Sequence, residues 1–92
     1  VELKELYQRA IAHYGPEAQT RKTLEEMAKL QVELCHHACG RATRLSIAEE
    51  IADVQIMLEQ MSLLHDCADA VELFRRRKLE RLEEKLDPVP LA

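Results

Sequence analysis

Apolar side chains return along this chain every three or four residues, the period of a helix with one buried face. Leu3, Leu6, Tyr7, Ala10, Ile11 and Tyr14 mark a first amphipathic helix near 2–14. Gly15-Pro16 ends it, since glycine suits a helix C-terminus and proline the first turn of the next helix. A second helix carries Leu24, Met27, Ala28, Leu30, Leu34 and Cys35. Its start has two readings, because Pro16-Glu17 and the capping-box pattern Thr23-x-x-Glu26 both open helices. Residues 38–45, around Gly40, read as a loop. Ser46-x-x-Glu49 then predicts the capped start of a third helix. Ile47, Ile51, Val54, Leu58 and Met61 share one face of it, while Ile56, Met57, Leu63 and Leu64 fall elsewhere, so this helix is expected to be buried on two sides. A turn lies between His65 and Asp69, with Asp66 as the expected N-cap. The fourth helix, about 67–86, bears Val71, Phe74, Leu79, Leu82 and Leu86 and stops before Pro88 and Pro90.

The pattern is therefore an all-α, four-helix bundle in one domain, 1–87, with a short tail at 88–92. The apolar residues spread around the third helix predict a core shared between copies, as a dimer or larger oligomer. Composition agrees with the helical reading: the 92 residues are 47% hydrophobic and 33% charged, with only two Gly and three Pro. A net charge of −4 argues against a basic surface for nucleic acid. No apolar run approaches the roughly 18 residues of a membrane span, and the first residues lack a signal-peptide pattern. Three cysteines, Cys35, Cys39 and Cys67, cannot all pair, which leads to the expectation of a reducing, cytoplasmic setting.

Candidate chemistry lies in the carboxylates. Glu50 and Asp53 are three residues apart and share a helix face, where Ile47, Val54 and Met57 are the neighbours of Glu50. A carboxylate among such neighbours is partly desolvated, and a bound cation is one way to compensate it. The plain alternative is a pair of acids on a solvated face. Glu26 on the preceding helix would complete an oxygen-lined cup suited to Mg²⁺ or Mn²⁺, of the kind that neutralises nucleotide phosphates.

Glu25-Glu26-Met27-Ala28-Lys29-Leu30 followed by Glu49-Glu50-Ile51-Ala52-Asp53-Val54 resembles the E-E-x-x-E … E-x-x-D signature of the MazG-like all-α nucleoside triphosphate pyrophosphohydrolases. The likeness extends from the Tyr14-Gly15 turn through Lys78-Leu79-Glu80-Arg81-Leu82. It implies Mg²⁺-dependent cleavage of a nucleoside triphosphate to the monophosphate and pyrophosphate, the house-cleaning of unwanted dNTPs, in a homodimer or homotetramer. Under it Glu26, Glu50 and Asp53 match metal ligands. Glu25 or Glu49 would orient the attacking water, and Lys78 and Arg81 would reach phosphate. One position departs from the signature: Lys29 stands where the family has its last Glu, and an ammonium there repels a metal ion. Lys29 is then expected to pair with Glu26, Glu50 or Asp53. A weakened enzyme, a non-catalytic relative holding nucleotide through Lys29, and a chain altered at a ligand position are all compatible with this substitution. A non-enzymatic helical nucleotide-binding or dimerisation module is accordingly the alternative function.

The remaining candidates have plainer readings. Cys35, His36, His37 and Cys39, with His65 and Cys67, would make a zinc set only if the fold gathered them. Otherwise they are small buried thiols and helix-end histidines that suit the dipole. Arg75-Arg76-Arg77-Lys78 reads either as a solvated face or as a source of phosphate contacts. Gln19 is a candidate base contact from its position alone, and Tyr7 and Tyr14 read as core and cap.

Overall fold

The computed structural model describes residues 2–87, which form four helices and no strand. The first, α1 (Leu3–Tyr14), ends at Gly15, whose N–H donates to the Ile11 carbonyl at 2.8 Å. Gly15 is the only residue between α1 and α2 (Pro16–Ala38), and its φ of +91° is a conformation that favours glycine. The second helix thus starts at Pro16. Thr23 lies inside it rather than capping it, and its hydroxyl donates back to the Gln19 carbonyl at 2.8 Å.

Two helix starts differ from the sequence expectation. Helix α3 (Arg44–Leu64) is capped by Thr43, not Ser46. The Thr43 hydroxyl accepts from the Ser46 N–H at 3.1 Å, and the Ser46 hydroxyl accepts from the Thr43 N–H at 3.0 Å. A serine thus takes the part usually played by Glu or Gln at the third helical position. Helix α4 (Ala68–Leu86) starts after Cys67, with no side-chain cap. Asp66 is not its N-cap: it sits in the turn at φ +49°, a left-handed conformation that Asp tolerates better than most residues. The proposed tail at 88–92 lies outside the described residues.

The α2–α3 pair is the centre of the molecule. Gln19 near the start of α2 meets Gln60 near the end of α3, which makes the two helices antiparallel. Helix α1 lies against both of them. Helix α4 touches only α3, and every one of its residues is solvent-exposed. Tyr7, Val54 and Met57 are the buried apolar residues, and they are joined by four buried polar ones, Gln19, Thr23, Glu26 and Gln60.

This inverts the expected face of α2. The residues that meet α3 are the polar series Gln19, Thr23 and Glu26, whereas Leu24, Met27 and Leu34 point outward. On α3, Ile51, Ile56 and Leu58 are exposed too, as is Tyr14 at the end of α1. The Cα radius of gyration is 17.1 Å, against about 12 Å for a compact domain of this length. The chain is thus extended, at 58 × 38 × 24 Å, with far more apolar surface outside than inside. Among the described residues, no helix is long and apolar enough to cross a membrane.

Candidate metal centre

Helical spacing and antiparallel pairing bring three carboxylates together. Glu26 follows Thr23 by one turn on the face of α2 that meets α3, and it is only 3% exposed. Glu50 and Asp53 are one turn apart on the facing helix. One carboxylate oxygen from each of Glu26, Glu50 and Asp53 lies within 4.8 Å of the other two. Among the described residues this is the only such group of three or more Asp, Glu, His or Cys side chains.

The two oxygens of Glu26 have different surroundings. Oε1 accepts the ammonium of Lys22 at 3.0 Å and that of Lys29 at 3.5 Å. Oε2 is buried without a hydrogen-bond partner, and so is Oε2 of Glu50. A buried carboxylate oxygen with no partner is destabilising by about 1–3 kcal/mol or more. Three acids against the two ammonium groups on Glu26 leave the cluster with a formal surplus of one negative charge. The hydrogen bond from Lys22 holds the Glu26 carboxyl below the ordinary carboxylate range, although burial pushes the other way. Reciprocally, the hydrogen bond to Glu26 raises the Lys22 ammonium above its usual value, with help from the charges of Glu25 and Glu26.

The donor set suits a hard divalent cation. Mg²⁺ takes oxygen ligands at about 2.1 Å, so two of its ligands stand at most about 4.2 Å apart. An outer spacing of 4.8 Å would need to contract by a few tenths of an ångström, which side-chain rotation supplies.

The other candidates fall in different places. Lys29 is paired with Glu26 and half exposed. Glu25 is exposed, 3.9 Å from Lys22, and lines an open groove of about 450 Å³ with Lys29 and Glu50. Glu49 is exposed and does not line that groove; as the residue next to Glu50 it points about 100° away around the helix. Gln19 is buried, and its Nε2 donates to Gln60 Oε1 at 2.7 Å, so a base contact would require breaking that bond. Lys78 and Arg81 are exposed on α4, which has no contact with α2.

Cys35, His36, His37, Cys39, His65 and Cys67 do not gather into a metal-ligating set. Cys35 and Cys39 are exposed rather than buried. The residue that sequence reasoning missed is Lys22, the closest cation to Glu26. Its spacing of four residues from Glu26 is a common surface pairing and carries no distinctive signal.

The chain matches no protein-family model, and comparison with curated proteins and with solved structures gave no match either.

Proposed function

We propose that the chain is a divalent-cation-dependent nucleoside triphosphate pyrophosphohydrolase of the MazG-like type, with activity restrained by Lys29 and Lys22. The observation that carries this reading is the convergence of Glu26, Glu50 and Asp53, two of which, Glu26 and Glu50, each keep one buried oxygen without a partner. Glu26, Glu50 and Asp53 would hold Mg²⁺ or Mn²⁺. Once bound, the cation would offset the negative charge of the triphosphate and polarise the phosphoryl group. Glu25, which lines the groove, would orient a water molecule for cleavage of the α–β anhydride bond. The products would be the nucleoside monophosphate and pyrophosphate. The free thiols Cys35, Cys39 and Cys67 suit a reducing compartment such as the cytoplasm.

The same geometry favours one second reading. Two ammonium groups already stand on Glu26 Oε1, so the carboxylate is partly neutralised without any metal. Under this reading the chain is a non-catalytic helical module that binds nucleotide or a partner, with Lys29 in contact with phosphate.

Calorimetry with Mg²⁺ and Mn²⁺, together with pyrophosphate release from a panel of dNTPs, separates the two. The enzyme reading expects saturable cation binding that is lost in Glu50→Gln and in Asp53→Asn, and pyrophosphate release that is lost in step. Nucleotide binding that ignores chelator, with no pyrophosphate formed, would establish the non-catalytic module.

A further inference from the structure

Glu26 has its counter-charges on its own helix. Lys22 stands one turn before it on α2 and Lys29 one turn after, and both ammonium groups converge on Oε1. Lys22 is the closer, at 3.0 Å, and it also lies 3.9 Å from Glu25. Its ammonium is raised above the usual value first by the hydrogen bond to Glu26, then by the charges of Glu25 and Glu26, and last by Asp53 on the facing helix. Because α2 and α3 run antiparallel, Lys22 marks the Asp53 end of the cluster, whereas Lys29 lines the groove beside Glu50. The Lys22 side chain is half exposed and that of Glu26 is buried, so the ammonium reaches the carboxylate from the solvent side. The pair joins no two elements of the fold, since both partners lie on α2, and an ion pair within one helix adds little to stability.

Resting on the pyrophosphohydrolase reading, we propose that Lys22 is a substrate-positioning residue, which neutralises Glu26 in the absence of a cation and turns to a phosphate oxygen when cation and triphosphate occupy the site. The chemistry of the two side chains sets the exchange. Glu26 is an acceptor only, so it holds a cation and repels a phosphate. Lys22 is a donor only, so it opposes a cation and attracts a phosphate. Three carboxylates and one divalent cation sum to −1, and the two ammonium groups bring the total to +1. Without nucleotide, that surplus works against the cation. A polyphosphate reverses the balance, and the ammonium released from Glu26 then has phosphate oxygens to donate to. A flexible four-carbon stem with solvent around it makes this move without disturbing the helix. One side chain thus acts with opposite sign on two ligands, which a purely structural ion pair does not do.

Calorimetry on the full chain, with Mg²⁺ alone and then with inorganic tripolyphosphate at saturating Mg²⁺, tests the exchange. Lys22→Met keeps the apolar stem and removes the charge. It is expected to bind Mg²⁺ about tenfold more tightly than the parent and tripolyphosphate about tenfold more weakly. Lys22→Arg keeps the charge and should stay within about twofold of the parent in both titrations. In chelator, Lys22→Met should melt below the parent, and added Mg²⁺ should raise its melting temperature by more than the parent's. If Lys22→Met does not fold in chelator, Lys22→Gln, which keeps a donor for Glu26 without the charge, takes its place in the same titrations. Tripolyphosphate bound equally by the parent and Lys22→Met at saturating Mg²⁺ would overturn the inference and leave the metal reading standing. Weaker binding of both ligands would also overturn it, by reducing Lys22 to a structural role. Failure of the parent and every variant to bind Mg²⁺ would remove the cation site and this inference with it.

Discussion

Lys22 places its ammonium 3.0 Å from Oε1 of Glu26, nearer than Lys29 at 3.5 Å, so the closest cation to the buried carboxylate lies outside the acidic motif. Both lysines hold the same oxygen and leave the other free. A metal ion approaching the free oxygen meets repulsion from two directions.

Lys29→Glu is expected to strengthen divalent-cation binding. At ~5 Å with an effective dielectric of about 20, one positive charge opposes the ion by on the order of 3 kcal/mol per unit of its charge before screening. Lys29 is half exposed, so solvent removes much of that, and a gain of about tenfold in Mg²⁺ affinity is the expected result. Calorimetry beside the parent measures it, and pyrophosphate release should rise in parallel. Equal affinity in both proteins would place Lys29 outside the site.

Acid should weaken the fold through Glu26. Its carboxyl titrates below the usual carboxylate value of 4.5, chiefly because Lys22 donates to it. A group whose folded pKa is depressed contributes stability that is complete above the unfolded value and is lost as the pH falls through the folded one. Thermal melts should therefore drop as the pH goes below 4.5, and Glu26→Gln should remove much of that slope. A melt of Glu26→Gln with the same acid slope as the parent would assign the slope to other carboxylates.

Tyr7 ties α1 to α3: its hydroxyl donates to Glu59 Oε2 at 2.6 Å. Burial, then the hydrogen bond and charge of Glu59, push its phenol from 10.0 up to about 12. With the folded pKa raised, the contribution is complete below 10.0 and disappears as the pH climbs toward 12. Tyr7→Phe should cost about 1 kcal/mol at neutral pH, read by urea denaturation, and should flatten the alkaline decline.

Gln19 and Gln60 should couple. Gln19→Leu alone leaves a buried amide unsatisfied and is expected to cost about 1–3 kcal/mol, whereas the double change to Leu should recover most of the loss. A double-mutant cycle showing simple additivity would mean that the bond contributes nothing beyond packing.

Helix count and most boundaries were legible in the sequence because they rest on local chemistry. Gly15-Pro16 can do little but turn and restart a helix, and the apolar recurrence through Leu86 marks α4. The start of α3 was misread because Ser46 fits both as an N-cap and as the third residue of a helix capped by Thr43. Only the hydrogen bonds distinguish the two. Glu50 and Asp53 were legible as a pair because three-residue spacing puts them on one helix face however the helix packs, whereas Glu26 was joined to them through the expected pairing of neighbouring antiparallel helices. The inward face of α2 was not. Periodicity shows that Leu24, Met27 and Leu34 share a side, but not whether that side meets α3 or another molecule. Here that side is largely exposed, and the polar stripe of Gln19, Thr23 and Glu26 is buried instead.

The short connection between α2 and α3, residues 39–43, has a kinetic consequence. Contacts near a five-residue loop close at small entropic cost, so this hairpin can zip from Gly40 outward in a rapid first-order step. Helix α4 has no comparable local partner. Its ordering should follow in a later phase, since α4 packs against α3 alone and keeps every residue exposed. The carboxylate cluster would then be assembled before α4 is in place, and the order of events in refolding would be set by how far along the chain each helix finds its cover.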